Sequence, residues 1–212
     1  MSTDCVFCRE ISGSRDTNFS RLYPESENRV IAETDLFVAF PCIGQLAEGH
    51  FLIVPKKHQN TLAQAQNGLS NFESELDRVL ADAHVFLGAE QAESLYFEHG
   101  AFGGQHGGCG IYHAHLHIVP MAGHVSCDGL APRGKTAEAM NLYGVYKSAP
   151  ADKPYALFGS KRNGFSCWEL AEPMESQTLR RFVAGALEVE SWDWRKSGVE
   201  ENMVSLLSRI SA

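Results

Sequence analysis

The sequence lacks long apolar runs and any excess of positive charge. No segment reaches the roughly 18 consecutive apolar residues that a membrane-spanning helix needs, so no membrane association is expected. The formal net charge of −8 at pH 7 repels the phosphate backbone of nucleic acids, so broad nucleic-acid binding is not expected either. A small anionic ligand held in a local pocket is compatible with this charge.

An export signal is also absent from the first ten residues. They contain Asp4, Arg9 and Glu10 and no apolar stretch, unlike a secretory leader. We therefore expect a cytoplasmic protein, in which cysteines are interpreted as thiols or metal ligands before disulfides. The six cysteines are Cys5, Cys8, Cys42, Cys109, Cys127 and Cys167.

The spacing of apolar residues predicts a mixture of strands and helices. A turn at 33–35 divides two β-rich runs within 29–40, which predicts a hairpin. Further strands are expected at 49–55, 94–98, 111–120 and 155–158. Helices are expected at 70–87, where Ser70 and Glu73 offer a capping box, and in two amphipathic stretches near the end of the sequence. This order, without βαβ regularity, favours an α+β fold with an antiparallel sheet.

The segment 112–120, YHAHLHIVP, carries three histidines at alternate positions. Alternate side chains of a strand point the same way, so His113, His115 and His117 would share one face at spacings of about 6.5 Å. One imidazole would then stand in the centre with a partner on either side. The pattern by itself leaves open a catalytic zinc site of three histidines, and also a chance cluster of surface histidines.

The spacing over 113–119, His-apolar-His-apolar-His-apolar-apolar, resembles the signature of the histidine triad (HIT) family. The motif Cys5-Val-Phe-Cys8 and the segment GHFLIVPKKH at 49–58 extend the resemblance upstream, in the family's order and spacing. The resemblance implies an α+β HIT-like fold over 1–125, with a central antiparallel sheet flanked by helices. A C-terminal helical extension over 126–212 is expected to pack on the same domain, and the resemblance also implies a homodimer.

The resemblance also implies a chemistry for the three histidines, which form the predicted catalytic set. The middle one, His115, would attack a nucleotide-type α-phosphate, and the covalent phospho-histidine splits one hard displacement into two easier ones. His117 would contact the phosphoryl oxygens or the departing group, and His113 would flank the nucleophile. The expected activity is hydrolysis of a nucleotide phosphoramidate or phosphoanhydride, or nucleotidyl transfer.

Two rival functions stay open at this point. One is a phosphorylase or nucleotidyltransferase, in which phosphate or a sugar phosphate replaces water as the acceptor. The other is a non-catalytic regulator that binds a nucleotide. The sequence does not identify the base, the leaving group or the acceptor.

Further substrate contacts are expected from two segments. The glycine-rich loop at 103–110 precedes the triad, and its backbone N–H groups could bind the phosphate. In the helix after residue 176, the apolar pattern favours a solvated face for the polar side chains, with Arg180 and Arg181 as phosphate ligands the alternative. The candidate substrate contacts are Glu98, His99, Gly108, Cys109, Gly110, Gln177 and Arg180.

Three positions depart from the commoner pattern of the family. Cys42 stands where many members carry the acidic residue that holds the ribose hydroxyls. Gly110 replaces a serine or threonine before the triad, and Phe102 stands where an asparagine or glutamine often begins the glycine loop. A strict nucleoside preference is therefore not implied.

The two N-terminal cysteines point to a metal. Cys5 and Cys8, with His58 and His113, give a Cys₂His₂ set suited to structural zinc. In zinc-bearing relatives the first triad histidine is a ligand, so the resemblance implies this set. A redox role for Cys-x-x-Cys lacks the expected strand–helix context, and two buried structural thiols are the alternative. Zinc here would tie the N-terminus to the triad and help to orient His115.

Overall fold

The structure, a computed structural model, describes residues 5–100, 111–120, 125, 137–171 and 174–211. Within these residues eight strands form one antiparallel sheet in the order β1-β2-β3-β5-β4-β7-β8-β6. The strands are β1 Ala32–Glu33, β2 Phe37–Pro41, β3 Phe51–Pro55, β4 Ser94–Gly100, β5 Leu116–Pro120, β6 Ala137–Ala139, β7 Tyr155–Ser160 and β8 Gly164–Glu169.

Seven α-helices are found in the same part of the chain. They are α1 Val6–Ile11, α2 Asn18–Leu22, α3 Leu62–Gly68, α4 Phe72–Leu87, α5 Leu142–Ser148, α6 Thr178–Ala186 and α7 Glu201–Ile210. Short 3₁₀ turns occupy Gln91–Glu93 and Trp194–Lys196. The α+β fold with an antiparallel sheet is confirmed, as are the hairpin of β1 and β2 and the two helices that follow residue 176.

The start of α4 differs from the predicted capping box. The N-cap is Asn71, in the left-handed conformation at φ 62°, and its side chain makes no capping hydrogen bond. Asparagine tolerates this conformation better than most residues. The helix therefore begins one residue later than it would with Ser70 as the N-cap. The predicted apolar stripe is correct, because Leu76, Val79 and Leu80 are all buried.

The triad strand is shorter than predicted. The strand β5 begins at Leu116, so His113 and His115 precede it and only His117 lies on the ladder. The backbone leaves the ladder because the N–H of Ala114 donates to the carbonyl of Gln59 at 2.7 Å instead. The alternation of side chains nevertheless persists, since Ala114, Leu116 and Ile118 all enter the core on the opposite face.

Both faces of the sheet are covered. On one face α3, α4 and α5 enclose the larger core, which includes Tyr96, Leu116 and Tyr146. On the other face α6 packs Leu179 and Val183 against Phe97, Phe158 and Trp168. At one end of this second face, α1 contributes Phe7 to a cluster with Phe40 and Leu52.

The part of the chain after residue 125 is more than a helical extension. Three of its strands continue the sheet, and β7 pairs with β4 along six residue pairs from Leu95↔Ser160 to Gly100↔Tyr155. The predicted boundary at residue 125 stays a prediction. None of the described helices combines the length and apolar character that crossing a membrane would require.

Candidate active site

The ring of His115 is held by the backbone of its own triad. Its Nδ1 lies 2.7 Å from the carbonyl oxygen of His113, which can only accept, so Nδ1 carries the hydrogen of the neutral ring. The lone pair of that neutral ring is then on Nε2. The residue is 7% exposed, and Phe7 packs edge-on against the ring with centroids 5.4 Å apart. When the ring is neutral, this arrangement leaves Nε2 as its one nucleophilic nitrogen.

The ring of His117 is oriented through a second buried histidine, His50. The backbone N–H of Leu46 donates to His50 Nδ1 at 3.2 Å, which leaves the hydrogen of the neutral His50 ring on Nε2. His50 Nε2 lies 3.0 Å from His117 Nδ1, so His50 donates and His117 carries its own hydrogen on Nε2. Phe97 stacks on the His117 ring at 4.4 Å with planes 6° apart.

Burial keeps these rings uncharged. Desolvation lowers the pKa of His50 well below its usual range, and the charge of Arg180 acts in the same direction. Desolvation also lowers the pKa of His117 well below its usual range, helped by the nearby His115, His50 and Arg180. A neutral His117 then has its Nε2–H available as a hydrogen-bond donor.

The ring of His113 faces the other way, toward the two N-terminal cysteines. Its Nε2 donates to the carbonyl of Pro55 at 2.8 Å, which leaves the Nδ1 lone pair directed at Cys5 Sγ, 3.2 Å away, and at Cys8 Sγ, 3.5 Å away. His58 Nδ1 is 3.3 Å from Cys8 Sγ. The four ligand atoms all lie within 4.8 Å of one another.

This set suits a metal ion by its chemistry. Two sulfurs and two ring nitrogens around tetrahedral zinc would be separated by about 3.6 Å for each sulfur–nitrogen pair, close to the spacings found here. The carbonyl of Pro55 fixes the tautomer of His113, as the outer partner of a metal-bound histidine usually does. The predicted set of Cys5, Cys8, His58 and His113 could therefore hold a metal.

A metal site made of the three triad histidines is not supported. His113 is directed at the cysteines and His117 at His50, while His115 belongs to neither group of metal-ligating side chains among the described residues.

A second group, Cys42, His50 and His117, also has ligand atoms within 4.8 Å. The ring nitrogens of His50 and His117 are hydrogen-bonded to each other, and the Arg180 guanidinium donates to Cys42 Sγ at 3.2 Å. We therefore assign no metal to this group.

Two cavities meet at the triad, and His115, His117 and Arg180 line both. The first is largely apolar, with walls that include Phe7, Phe19, Ile43, Leu52, Ile111 and Trp194. The second is bounded by Phe97, His99 and the first turn of α6, residues 177–180. The predicted contact His99 therefore lies beside the two catalytic candidates.

The predicted solvated face of α6 is wrong for two of its three polar residues. Arg180 is only 2% exposed and Gln177 5%, whereas the side chain of Arg181 is 54% exposed. Gln177 is the N-cap residue in the left-handed conformation, and its amide donates to Asp193 at 2.7 Å. The residues 192–194 cover this face, because the Arg180 Nε donates to the carbonyl of Trp192 at 3.1 Å.

Glu98, a predicted substrate contact, lies in the core instead. Glu98 is 1% exposed, and its two oxygens accept from the N–H of Leu62 at 2.9 Å and the hydroxyl of Tyr155 at 2.7 Å. Burial raises the pKa of this carboxyl. Glu98 thus binds the start of α3 and is assigned a structural role. Gly108, Cys109, Gly110 and Phe102 lie outside the described residues.

Sequence reasoning did not identify His50 as a functional residue. It stands in the GHFLIVP segment, whose apolar character predicts a buried strand. A fully buried histidine at the start of such a strand needs hydrogen-bond partners, and this requirement is the signal that could have marked it.

The model of the HIT domain family matches residues 23–124. The chain contains a HIT domain over these residues. This HIT protein is 28% identical over 120 residues to adenylylsulfatase HINT3 of Arabidopsis thaliana, an alignment that covers 57% of the chain and 53% of the relative. It is 26% identical over 137 residues to Protein hit of Bacillus subtilis, which covers 63% of the chain and 80% of the relative. The match thus spans only about half the length of the Arabidopsis protein.

Two solved structures of HIT proteins align with part of the chain. A HIT family hydrolase from Clostridium thermocellum aligns with a TM-score of 0.43 at 20% identity, covering 59% of this HIT protein and 97% of that chain. A histidine triad protein from Clostridium difficile aligns with a TM-score of 0.42 at 25% identity, with the same two coverages. The strands after residue 137 and the helices α6 and α7 lie beyond the residues that the family model matches.

Proposed function

We propose that this HIT protein hydrolyses a nucleotide phosphoramidate or phosphoanhydride, or transfers its nucleotidyl group, through a covalent adduct of the α-phosphate on His115. The observation that carries the proposal is the bond from His115 Nδ1 to the carbonyl of His113, which directs the lone pair of a neutral ring onto Nε2. His115 lies between a largely apolar cavity and the first turn of α6, which supports a substrate with an apolar part and a phosphate.

The first step forms a bond between His115 Nε2 and phosphorus, and the bond from phosphorus to the leaving group breaks with its electron pair. The ring becomes positively charged, and the carbonyl oxygen of His113 stabilises that charge through the Nδ1–H. The Nε2–H of His117 can donate to a phosphoryl oxygen or to the departing atom, because His50 fixes its tautomer. In the second step an acceptor oxygen attacks phosphorus, and the P–N electron pair returns to Nε2.

Water is the proposed acceptor, and the acceptor then loses a proton to solvent. One candidate substrate is a nucleoside phosphosulfate, because the relative from Arabidopsis is named an adenylylsulfatase.

Zinc is the proposed occupant of the cluster formed by Cys5, Cys8, His58 and His113. Its role there is structural, since four protein ligands leave no open position for substrate. The cluster would join α1 to the segment before β5, and Phe7 of α1 packs on both His113 and His115.

We also propose that the protein is a homodimer and that it is cytoplasmic. The dimer is supported by resemblance to the family, and the cytoplasmic location by four described cysteines that are all free thiols. Light scattering coupled to size-exclusion chromatography tests the dimer, for which a mass near twice 23.3 kDa is expected.

The nucleophile is tested by mass spectrometry of the protein mixed with a panel of nucleoside phosphoramidates, phosphosulfates and diphosphates. The wild type should gain the mass of a nucleotidyl group, and His115→Ala should lose both the adduct and turnover, by several orders of magnitude. His117→Ala should keep the adduct and lose about 100-fold in turnover. Near-normal turnover in His115→Ala contradicts the proposal, and nucleotide binding without any turnover favours the non-catalytic regulator.

A further inference from the structure

Two buried arginines line the cavity beside His115, and among the described residues one of them, Arg29, has a carboxylate partner. Arg29 binds Glu10 through two hydrogen bonds of 2.6 and 3.1 Å. The acceptors that Arg180 contacts in the described part of the chain are neutral: the carbonyl of Trp192, the Sγ of Cys42 and the carbonyl of Gly44. The two side chains are equally buried, at 3% and 2% exposed, so the difference lies in their charge partners.

No carboxylate in the described part of the chain forms an ion pair with Arg180. Glu200 contacts the same loop, but its oxygens accept from the N–H groups of Gly44 and Gln45 at 2.8 and 3.0 Å. A buried charge without a counter-charge is costly, and the neighbouring His50 and His117 are neutral. The arrangement therefore favours an anion supplied by a ligand.

The surroundings of Arg180 on the α6 side also favour an anion. The first turn of α6 lines the second cavity together with His117. The helix is nine residues long, and the first backbone N–H groups of a helix have no partner within it. The N–H of Thr178 donates to the carbonyl of Glu175, whereas Leu179 and Arg180 both line the second cavity. The helix dipole adds to the charge of the guanidinium at this point.

We propose that Arg180, His117 and the first turn of α6 bind the leaving group of the substrate, and that this group is an oxyanion of the phosphate or sulfate class. The inference rests on the proposed attack by His115. As the bond between His115 Nε2 and phosphorus forms, the bridging P–O bond breaks and its electron pair stays with the departing phosphate or sulfate. No proton has to be supplied, and the departing anion compensates the charge of Arg180.

The opposite cavity suits the rest of such a substrate. Its walls are mainly apolar and aromatic, and its one other described cation, Arg29, is already neutralised by Glu10. A nucleoside would lie against these walls, which leaves the α6 side for the second charged group. An amine leaving group would instead place an extra positive charge or an unpaired N–H beside Arg180.

The test compares three substrates that share one adenylyl group: adenosine 5′-phosphosulfate, ADP and adenosine 5′-phosphoramidate. Arg180→Met should lower kcat/KM for the phosphosulfate and for ADP by roughly 10- to 100-fold. It should change kcat/KM for the phosphoramidate by less than about threefold. Arg180→Lys, which keeps the charge, should recover part of the loss. The ratio between phosphosulfate and ADP shows which of the two oxyanions is preferred. Arg181→Gln is the matched control, because Arg181 is half-exposed and contacts Glu175 and Trp192.

Equal losses on all three substrates, or no loss on any, would overturn the proposal. A binding measurement separates it from the proposed function: inorganic phosphate and sulfate are titrated into wild type, His115→Ala and Arg180→Met by calorimetry. The subsite is supported if wild type and His115→Ala bind these anions and Arg180→Met binds them at least tenfold more weakly. This result does not require an adduct on His115. Binding that is equal in all three proteins counts against the subsite, whatever the activity. Circular dichroism spectra confirm that each variant is folded.

Discussion

His50 Nε2 lies 3.0 Å from His117 Nδ1, and both rings are buried. Together with the hydrogen bond from Leu46 N–H to His50 Nδ1, this contact places the hydrogen of His117 on Nε2. The two outer triad histidines thus have different partners, since His113 is held by Pro55 and the cysteines.

Replacing His50 tests this orientation. His50→Phe keeps a ring in the buried site but removes the donor to His117, so His117 can place its hydrogen on either nitrogen. We expect kcat to fall by roughly 10- to 100-fold with little change in KM, as for the loss of one oriented donor. His50→Gln, which retains an N–H donor, should be less impaired. Unchanged kcat in His50→Phe would show that the contact does not orient His117.

Replacing Cys8 tests the metal cluster. The wild type should contain about one zinc per chain by elemental analysis, and Cys8→Ser should lose the zinc and melt at a lower temperature. A chelator should lower the melting temperature of the wild type in the same way. Cys167→Ala is the control, because Cys167 is a buried thiol outside the cluster and its loss should reduce stability without loss of zinc. Wild-type protein that is free of metal and indifferent to chelators would argue against the cluster.

Part of the pH dependence of stability is expected to come from His99. Burial, with a smaller effect of the charge of His115, lowers the pKa of His99 to about 4. Between pH 6.5 and pH 4 the unfolded chain therefore binds a proton that the folded chain does not. The free energy of unfolding should be highest above pH 6.5 and should decrease as the pH falls toward 4. Urea denaturation at about pH 7 and about pH 5 should show a smaller decrease for His99→Gln than for wild type. Equal decreases would contradict this assignment.

Replacing Glu98 separates a structural role from a substrate contact. The amide group of Glu98→Gln cannot accept from both Leu62 N–H and the Tyr155 hydroxyl in the way that two carboxylate oxygens do. The free energy of unfolding should fall by about 1–3 kcal/mol, with KM unchanged to within about twofold. Thermal and urea denaturation measure the first quantity and initial-rate kinetics the second. A raised KM at unchanged stability would restore the predicted substrate contact.

Much of the strand and helix content could be predicted, because apolar periodicity reports which side of an element faces the core. The alternation of Ala114, Leu116 and Ile118 predicted the buried face correctly even where the backbone leaves the ladder. The same periodicity predicts no length for β5, because the length depends on a hydrogen bond between Ala114 and Gln59, which lie far apart in the sequence.

The sequence by itself determined the histidine spacing that predicts the family, the α+β class, and the Cys₂His₂ set that could hold a metal. Only the tertiary structure decided what stands opposite each polar side chain. Arg180 reaches Cys42 across 138 residues of sequence, and Glu98 meets Tyr155 across 57. The physical reason is that local pattern fixes the direction of a side chain along its own element, whereas burial and charge pairing are set by whichever distant segment packs against it.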